Sequence, residues 1–230
     1  AAGALWIADL PADMIDATAR AVDFFVGHQA WRRFPAAGAI GVLGANDDSH
    51  ECMNLLVRGH LPFRVITPDS HFDGLACILA FDEPALTARR AHLKNWLDAG
   101  GALITNLRDF PPGPRVILWK DEAVDPYLVA QEAKRLLGRQ RDPLRVYNMF
   151  TSNLRWTESP DRQSSLVEFV NYTGRPLPDE TTLWLRRTYR RAWLHTWHAA
   201  PRELTPLRTD GGTEIVIPER EIYAALELAA

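Results

Sequence analysis

The sequence predicts an α/β chain, with a doubly wound parallel sheet over residues 1–140 followed by a small antiparallel β-sandwich over 141–230. Three observations carry this prediction. Short, nearly continuous apolar runs alternate with helix-like segments in the first part, as expected of strands covered on both faces. After Gln140-Arg141-Asp142-Pro143 the apolar pattern changes to a period of two. Turn signals then recur between short β-like segments.

The first helix-like stretch runs from about Pro11 to Phe34, where Ile15, Ala19, Val22, Phe25 and Val26 form one apolar face. Ala39 to Leu43 reads as a first buried strand. The loop Gly44-Ala45-Asn46-Asp47-Asp48-Ser49 follows, then a helix carrying Cys52, Leu55 and Leu56 that ends near Gly59. Phe63 to Ile66 and Leu75 to Phe81 read as the second and third strands. Pro84 opens the clearest helix, since a first-turn N–H has no helical partner to lose. Leu86, Leu93, Trp96 and Leu97 line its inner face, and Gly100-Gly101 stop it. Ala102 to Thr105 and Arg115 to Trp119 supply the fourth and fifth strands. Asp125-Pro126 starts a final helix, with Leu128, Leu136 and Leu137 inward and Gly138 closing it. Strands joined by crossover helices in this way imply a flavodoxin-like arrangement.

In the second part, Leu144 to Met149, Ser165 to Asn171, Thr182 to Arg187, Arg190 to His195, Glu214 to Ile217 and Ile222 to Leu228 read as strands. Tyr172-Thr173-Gly174, Leu177-Pro178-Asp179 and Asp210-Gly211-Gly212 supply turns between them. Val167 and Phe169 share one face, as do Leu183 and Leu185, the alternation of a small sandwich.

Composition narrows the function classes. The 230 residues are 47% hydrophobic and 24% charged, ordinary for a globular chain with a real core. A net charge of −3 with mixed signs and no basic stripe argues against a nucleic-acid partner. No apolar run approaches the roughly 20 residues of a bilayer span, so no membrane partner is expected. The chain opens Ala1-Ala2-Gly3-Ala4, without an initiating Met or a signal-peptide pattern, which reads as a fragment or processed product. Bacterial cytoplasm and export both remain open.

Three chemistries are associated with such sheets, and each demands particular residues. A class I glutamine amidotransferase needs a thiol on a sharp Gly-x-Cys-x-Gly turn after a strand. Cys52 falls in a helical segment and Cys77 inside a strand, so neither fits. A flavin or dinucleotide site needs a phosphate-cradling loop. Gly41-Val42-Leu43-Gly44 lacks that glycine spacing and is followed by acidic Asp47-Asp48. A phosphoacceptor site could draw on Asp47, Asp48, Asp82 and Lys120, but Asp82-Glu83-Pro84 runs straight into a helix.

Two clusters remain as candidate ligand contacts. Asp47, Asp48, His50 and Glu51 stand where α/β sheets bind ligands, and could hold a divalent cation or a sugar hydroxyl. The simpler reading is that Asp48 or Ser49 caps the next helix. In Trp193-Leu194-His195-Thr196-Trp197-His198, Trp193, His195 and Trp197 share one strand face. They suit a sugar platform, and equally a core or a domain interface. Glycoside cleavage needs two facing carboxyl groups on a rigid scaffold, and neither half is long enough for a (β/α)₈ barrel. No catalytic residue, cofactor or metal ligand is assigned.

Five stretches resemble a known family. Asn54-Leu55-Leu56-Val57-Arg58-Gly59-His60-Leu61-Pro62-Phe63-Arg64-Val65 and Trp96-Leu97-Asp98-Ala99-Gly100-Gly101-Ala102-Leu103-Ile104 look like passages of amidotransferase-like domains in glycoside hydrolases. Leu166-Val167-Glu168-Phe169-Val170-Asn171-Tyr172-Thr173-Gly174 resembles a strand and turn of their C-terminal β domains. Gly211-Gly212-Thr213-Glu214-Ile215-Val216-Ile217-Pro218 and Ile222-Tyr223-Ala224-Ala225-Leu226 are similar to the closing strands. Together they resemble the trimerisation-type domain and small β domain of bacterial beta-galactosidase-like proteins. The resemblance implies a non-catalytic accessory region that assembles as a homo-oligomer, meeting carbohydrate only through a parent protein whose barrel lies upstream. The rivals are a carbohydrate-binding module using Trp193 and Trp197, and a metal-assisted hydrolase centred on Asp47, Asp48 and His50.

Overall fold

The structure, a computed structural model, describes residues 11–44, 46–67, 69–108, 110–119, 125–219 and 221–230. It is a mixed α/β arrangement of one parallel sheet and two antiparallel sheets.

In the first part, β1 (Ile40–Leu43), β2 (Phe63–Ile66), β3 (Cys77–Ala80), β4 (Ala102–Thr105) and β5 (Val116–Leu118) pair in parallel in the order β2-β1-β3-β4-β5. Successive side chains turn to opposite faces. Ile40, Val42, Cys77, Leu79, Ala102 and Ile104 face α2 (Asp47–Arg58) and α4 (Pro126–Arg141), which cover them with Cys52, Leu56, Val129, Ala133 and Leu137. Leu43, Ile78, Ala80 and Leu103 face α3 (Glu83–Asp98) and its Leu86, Leu93, Trp96 and Leu97. Each fully buried leucine contributes about 2–3 kcal/mol from removal of apolar surface. Cover on both sides explains why these strands show no polar alternation.

Glycine and capping residues set the helix ends. Gly100 leaves α3 at φ +99, and Gly101 lies so close to the Trp96 indole that a Cβ would enter the ring. Asp125 caps α4, its Oδ1 accepting the N–H groups of Tyr127 and Leu128 at 2.9 and 3.2 Å. α4 departs from expectation in two ways. It continues to Arg141 through a kink at Gly138 (φ 54°, ψ 177°) instead of closing there. Leu128 is exposed, because the buried stripe runs through Val129, Ala130, Ala133, Leu136 and Leu137, about 100° round the helix.

In the second part, β6 (Leu144–Tyr147), β9 (Thr181–Leu185), β12 (Leu207–Thr209) and β13 (Gly212–Ile217) form a sheet ordered β12-β13-β9-β6. The strands β7 (Ser152–Glu158), β8 (Ser164–Asn171), β10 (Arg191–Thr196), β11 (Ala199–Leu204) and β14 (Tyr223–Ala229) form another, ordered β11-β10-β14-β8-β7. Their facing side chains make one core, with Leu144, Leu183, Leu185, Ile215 and Ile217 against Leu154, Trp156, Val167, Phe169, Leu194 and Leu226.

The helix expected over 11–34 is α1 (Ala12–Gly27) followed by a 3-10 helix, Gln29–Arg33. They part at His28, whose backbone N–H bonds the Phe24 carbonyl at 3.1 Å while Nδ1 lies 2.7 Å from the same oxygen. The apolar face of Ile15, Ala19, Val22, Phe25 and Val26 is exposed. Thr18, Ala21, Phe24 and His28 turn inward instead. The broad rings of Phe24 and Trp31 settle on Tyr223 and His195 of the five-stranded sheet, a contact aliphatic side chains of the same period could not match.

Residues 35–37 then run along the β7 edge. Ala37 N–H bonds Trp156 O at 2.9 Å, and Glu158 N–H bonds Pro35 O at 3.1 Å. His60 Nε2 meets Ser152 O at 2.8 Å, adding a tie from the end of α2.

Candidate functional site

Ligands of open α/β sheets usually sit beyond the C-terminal ends of the strands. Here the polar side chains at that rim serve the fold. Asn46 caps α2, its Oδ1 accepting from Ser49 N–H (3.0 Å) and Oγ (2.6 Å), while its Nδ2 donates to Phe81 O (3.1 Å). The cap is therefore Asn46, not Asp48 or Ser49. Asp47 and Asp48 occupy the first turn of α2, where the positive helix end favours carboxylates. Asp82 caps α3 through the Ala85 N–H at 3.1 Å. Thr105 Oγ1 donates to Ala80 O at 2.6 Å and accepts the Leu107 N–H at 3.2 Å. His50 is exposed. Among the described residues no three His, Cys, Asp or Glu side chains are arranged to hold a metal ion. Ala45 and Lys120 lie outside the described residues.

Neither thiol is poised for attack. Burial, with the charges of Asp48 and Glu51 adding to it, pushes Cys52 up to about 12. Cys77 is pushed up to about 12 by burial within β3. At such values the nucleophilic thiolate is scarce near neutral pH.

The second cluster lies on the outer face of the five-stranded sheet, and the structure separates its two tryptophans. Trp193 lies beneath the Arg191 guanidinium, 4.6 Å from the ring centre. Trp197, beyond the irregularity between Leu194 and Thr196, stacks on Tyr223 at 6.0 Å and 16°. Between them His195 is buried, its ring edge-on to Trp31 and to His28 at 5.1 Å each. His195 Nε2 lies 3.2 Å from Glu227 Oε2, off the line of an aligned hydrogen bond. The polar contact with His195 holds the Glu227 carboxyl below its ordinary range; the charges of His195 and His28 and the Trp31 indole add to the effect.

Sequence reasoning missed a neighbouring group on the same face. The Tyr223 hydroxyl donates to Glu168 Oε1 at 3.0 Å, and Arg155 donates to Glu168 Oε2 at 3.1 Å. Burial, then the Glu168 charge, pushes the Tyr223 hydroxyl far up. The register pairs Arg155 with Glu168 and Asn153 with Val170, so period-two alternation around Val167 and Phe169 was the available signal. Beside this group a cleft of about 400 Å³ opens between the sheet and the α2–β2 side of the parallel layer.

No protein-family model matches the chain, and no curated protein matches it by sequence. Among solved structures it is similar to alpha-L-fucosidase isoenzyme 2 from Paenibacillus thiaminolyticus, with a TM-score of 0.70 and 10% identity, over 89% of this chain and 50% of that one. It is also similar to a beta-galactosidase from Bacillus circulans sp. alkalophilus (TM-score 0.49, 10% identity, 84% of this chain and 42% of that one). A rhamnosidase from Novosphingobium sp. PP1Y gives a TM-score of 0.48 at 13% identity, over 86% of this chain and 22% of that one. The chain thus spans about half the length of the fucosidase, and at 10% identity the likeness is one of fold.

Proposed function

We propose that this chain is the non-catalytic accessory and oligomerisation region of a glycoside-hydrolase-like protein. In this reading residues 1–140 form a flavodoxin-like, amidotransferase-like unit of the beta-galactosidase trimerisation type, and 141–230 a C-terminal β-sandwich unit. The carrying observation is the rim of the parallel sheet, where Asn46, Asp82 and Thr105 are committed to helix caps and backbone bonds. A rim occupied in this way favours a scaffold over a reaction centre. The strand order β2-β1-β3-β4-β5 supports the flavodoxin-like part. The likeness of fold to half of a fucosidase supports the parent class.

Assembly is proposed through the outer face of α1. Ile15, Val22 and Val26 recur there at helical spacing and are exposed by 54%, 44% and 53%. Apolar side chains grouped on one surface mark contact sites for partners. Light scattering at high micromolar concentration is expected to give a multiple of the chain mass, and Val22→Glu with Val26→Glu to return it to one chain. A monomeric parent sequence would remove the assembly role. Turnover of nitrophenyl glycosides by this chain alone would remove the non-catalytic one.

A further inference from the structure

The outer face of the five-stranded sheet is only partly covered. Phe24, Phe25 and Trp31 sit over Tyr223 and His195, whereas toward β7 the face remains open opposite α2 and β2. The cleft there is about 400 Å³, within the range of small-molecule sites. Two rungs of the sheet make its floor: Asn153, Val170 and Tyr223 in one, Arg155 and Glu168 in the next. Val57, Leu61, Phe63 and Val65 make the facing wall. Val65 and Val170 line this concavity yet are 53% and 43% exposed, apolar surface that a ligand would remove from water.

We infer that this cleft binds a neutral, mainly apolar small molecule. The walls select the body, being chiefly apolar: Phe63, Trp156 and Tyr223 line the cleft together with aliphatic side chains. Charge balance selects neutrality. The Glu168 carboxylate already receives the Arg155 guanidinium at 3.1 Å and the Tyr223 hydroxyl at 3.0 Å. A charged ligand would lose its hydration and find no uncompensated opposite charge in return. This site is separate from the α1 surface and does not depend on the assembly reading.

The test titrates the chain with phenylbutanol, against phenylbutanoate and phenylbutylamine as charged matches, by calorimetry and by methyl NMR of Val57, Val65 and Leu61. Saturable one-to-one binding of the alcohol is expected, with both charged analogues at least about tenfold weaker. Val170→Glu, at a position 43% exposed, is expected to abolish binding while circular dichroism stays unchanged. Failure of the alcohol to saturate, undiminished binding to Val170→Glu, or preference for either charged analogue would overturn the inference.

Discussion

Replacing Gly44 with Ala tests how tightly the rim of the parallel sheet is closed. Gly44 leaves β1 at φ +100, where a side chain is strained by about 1–3 kcal/mol. A Cβ there also runs into the Cβ and carboxylate of Asp82. Asp82 has little room to retreat, because its carboxylate holds the Ala85 N–H as the cap of α3. Loss of that cap adds about 1 kcal/mol. Gly44→Ala is therefore expected to destabilise the chain by about 2–4 kcal/mol. Gly138→Ala is the control: its φ is also positive, at 54°, but nothing lies within 4 Å of its Cβ position. That change carries the backbone strain alone, about 1–3 kcal/mol. Urea unfolding followed by circular dichroism measures both. An Asp82→Ala background keeps the clashing Cβ but has already lost the cap, so the double variant is less destabilised than the sum of the two by about 1 kcal/mol. Equal costs at Gly44 and Gly138, or strict additivity with Asp82→Ala, would refute this picture of the rim.

Two further outcomes follow from the ionisable groups. Because the Glu227 carboxyl is held low in the folded state, its contribution is present above the unfolded pKa and lost as pH falls through the folded value. Melting curves between about pH 7 and 3 are expected to show a shallower acid loss for Glu227→Gln, and an unchanged profile would contradict the lowered carboxyl. Cys52 and Cys77, both buried and both raised to about 12, are expected to resist iodoacetamide at about pH 8 and to take two adducts in urea. Intact mass counts the adducts, and rapid labelling of the folded chain would show an accessible thiolate.

The parallel layer was legible because its strands are simple in chemical terms. Cys77–Ala80 and Ala102–Thr105 fall where the apolar runs place them, since burial on both faces leaves little else at those positions. Three strands of the second part were not anticipated. β11 carries Pro201, Arg202 and Glu203 and lies at a sheet edge, where exposure removes the apolar signal. β12 is three residues long, also at an edge. β7 alternates Leu154 and Trp156 inward with Asn153 and Arg155 outward, so its signal was present but mixed with polar residues. The docking face of α1 was not legible for a different reason. Periodicity finds an apolar stripe, but it does not say which stripe meets a partner within the same chain. Glu168 and Tyr223 were invisible as a pair because only the β8–β14 register brings them together.

The docking of α1 also constrains how the polypeptide comes into being. Phe24 and Phe25 rest on Tyr223, a partner about 200 residues further along the sequence. During synthesis the helix must wait, its aromatic side chains bare to water, until β14 has emerged. Long-range closure of this kind slows folding and lengthens the interval in which a nascent chain can stick to its neighbours. A ribosome-bound product truncated before β14 would therefore be the form most in need of a chaperone.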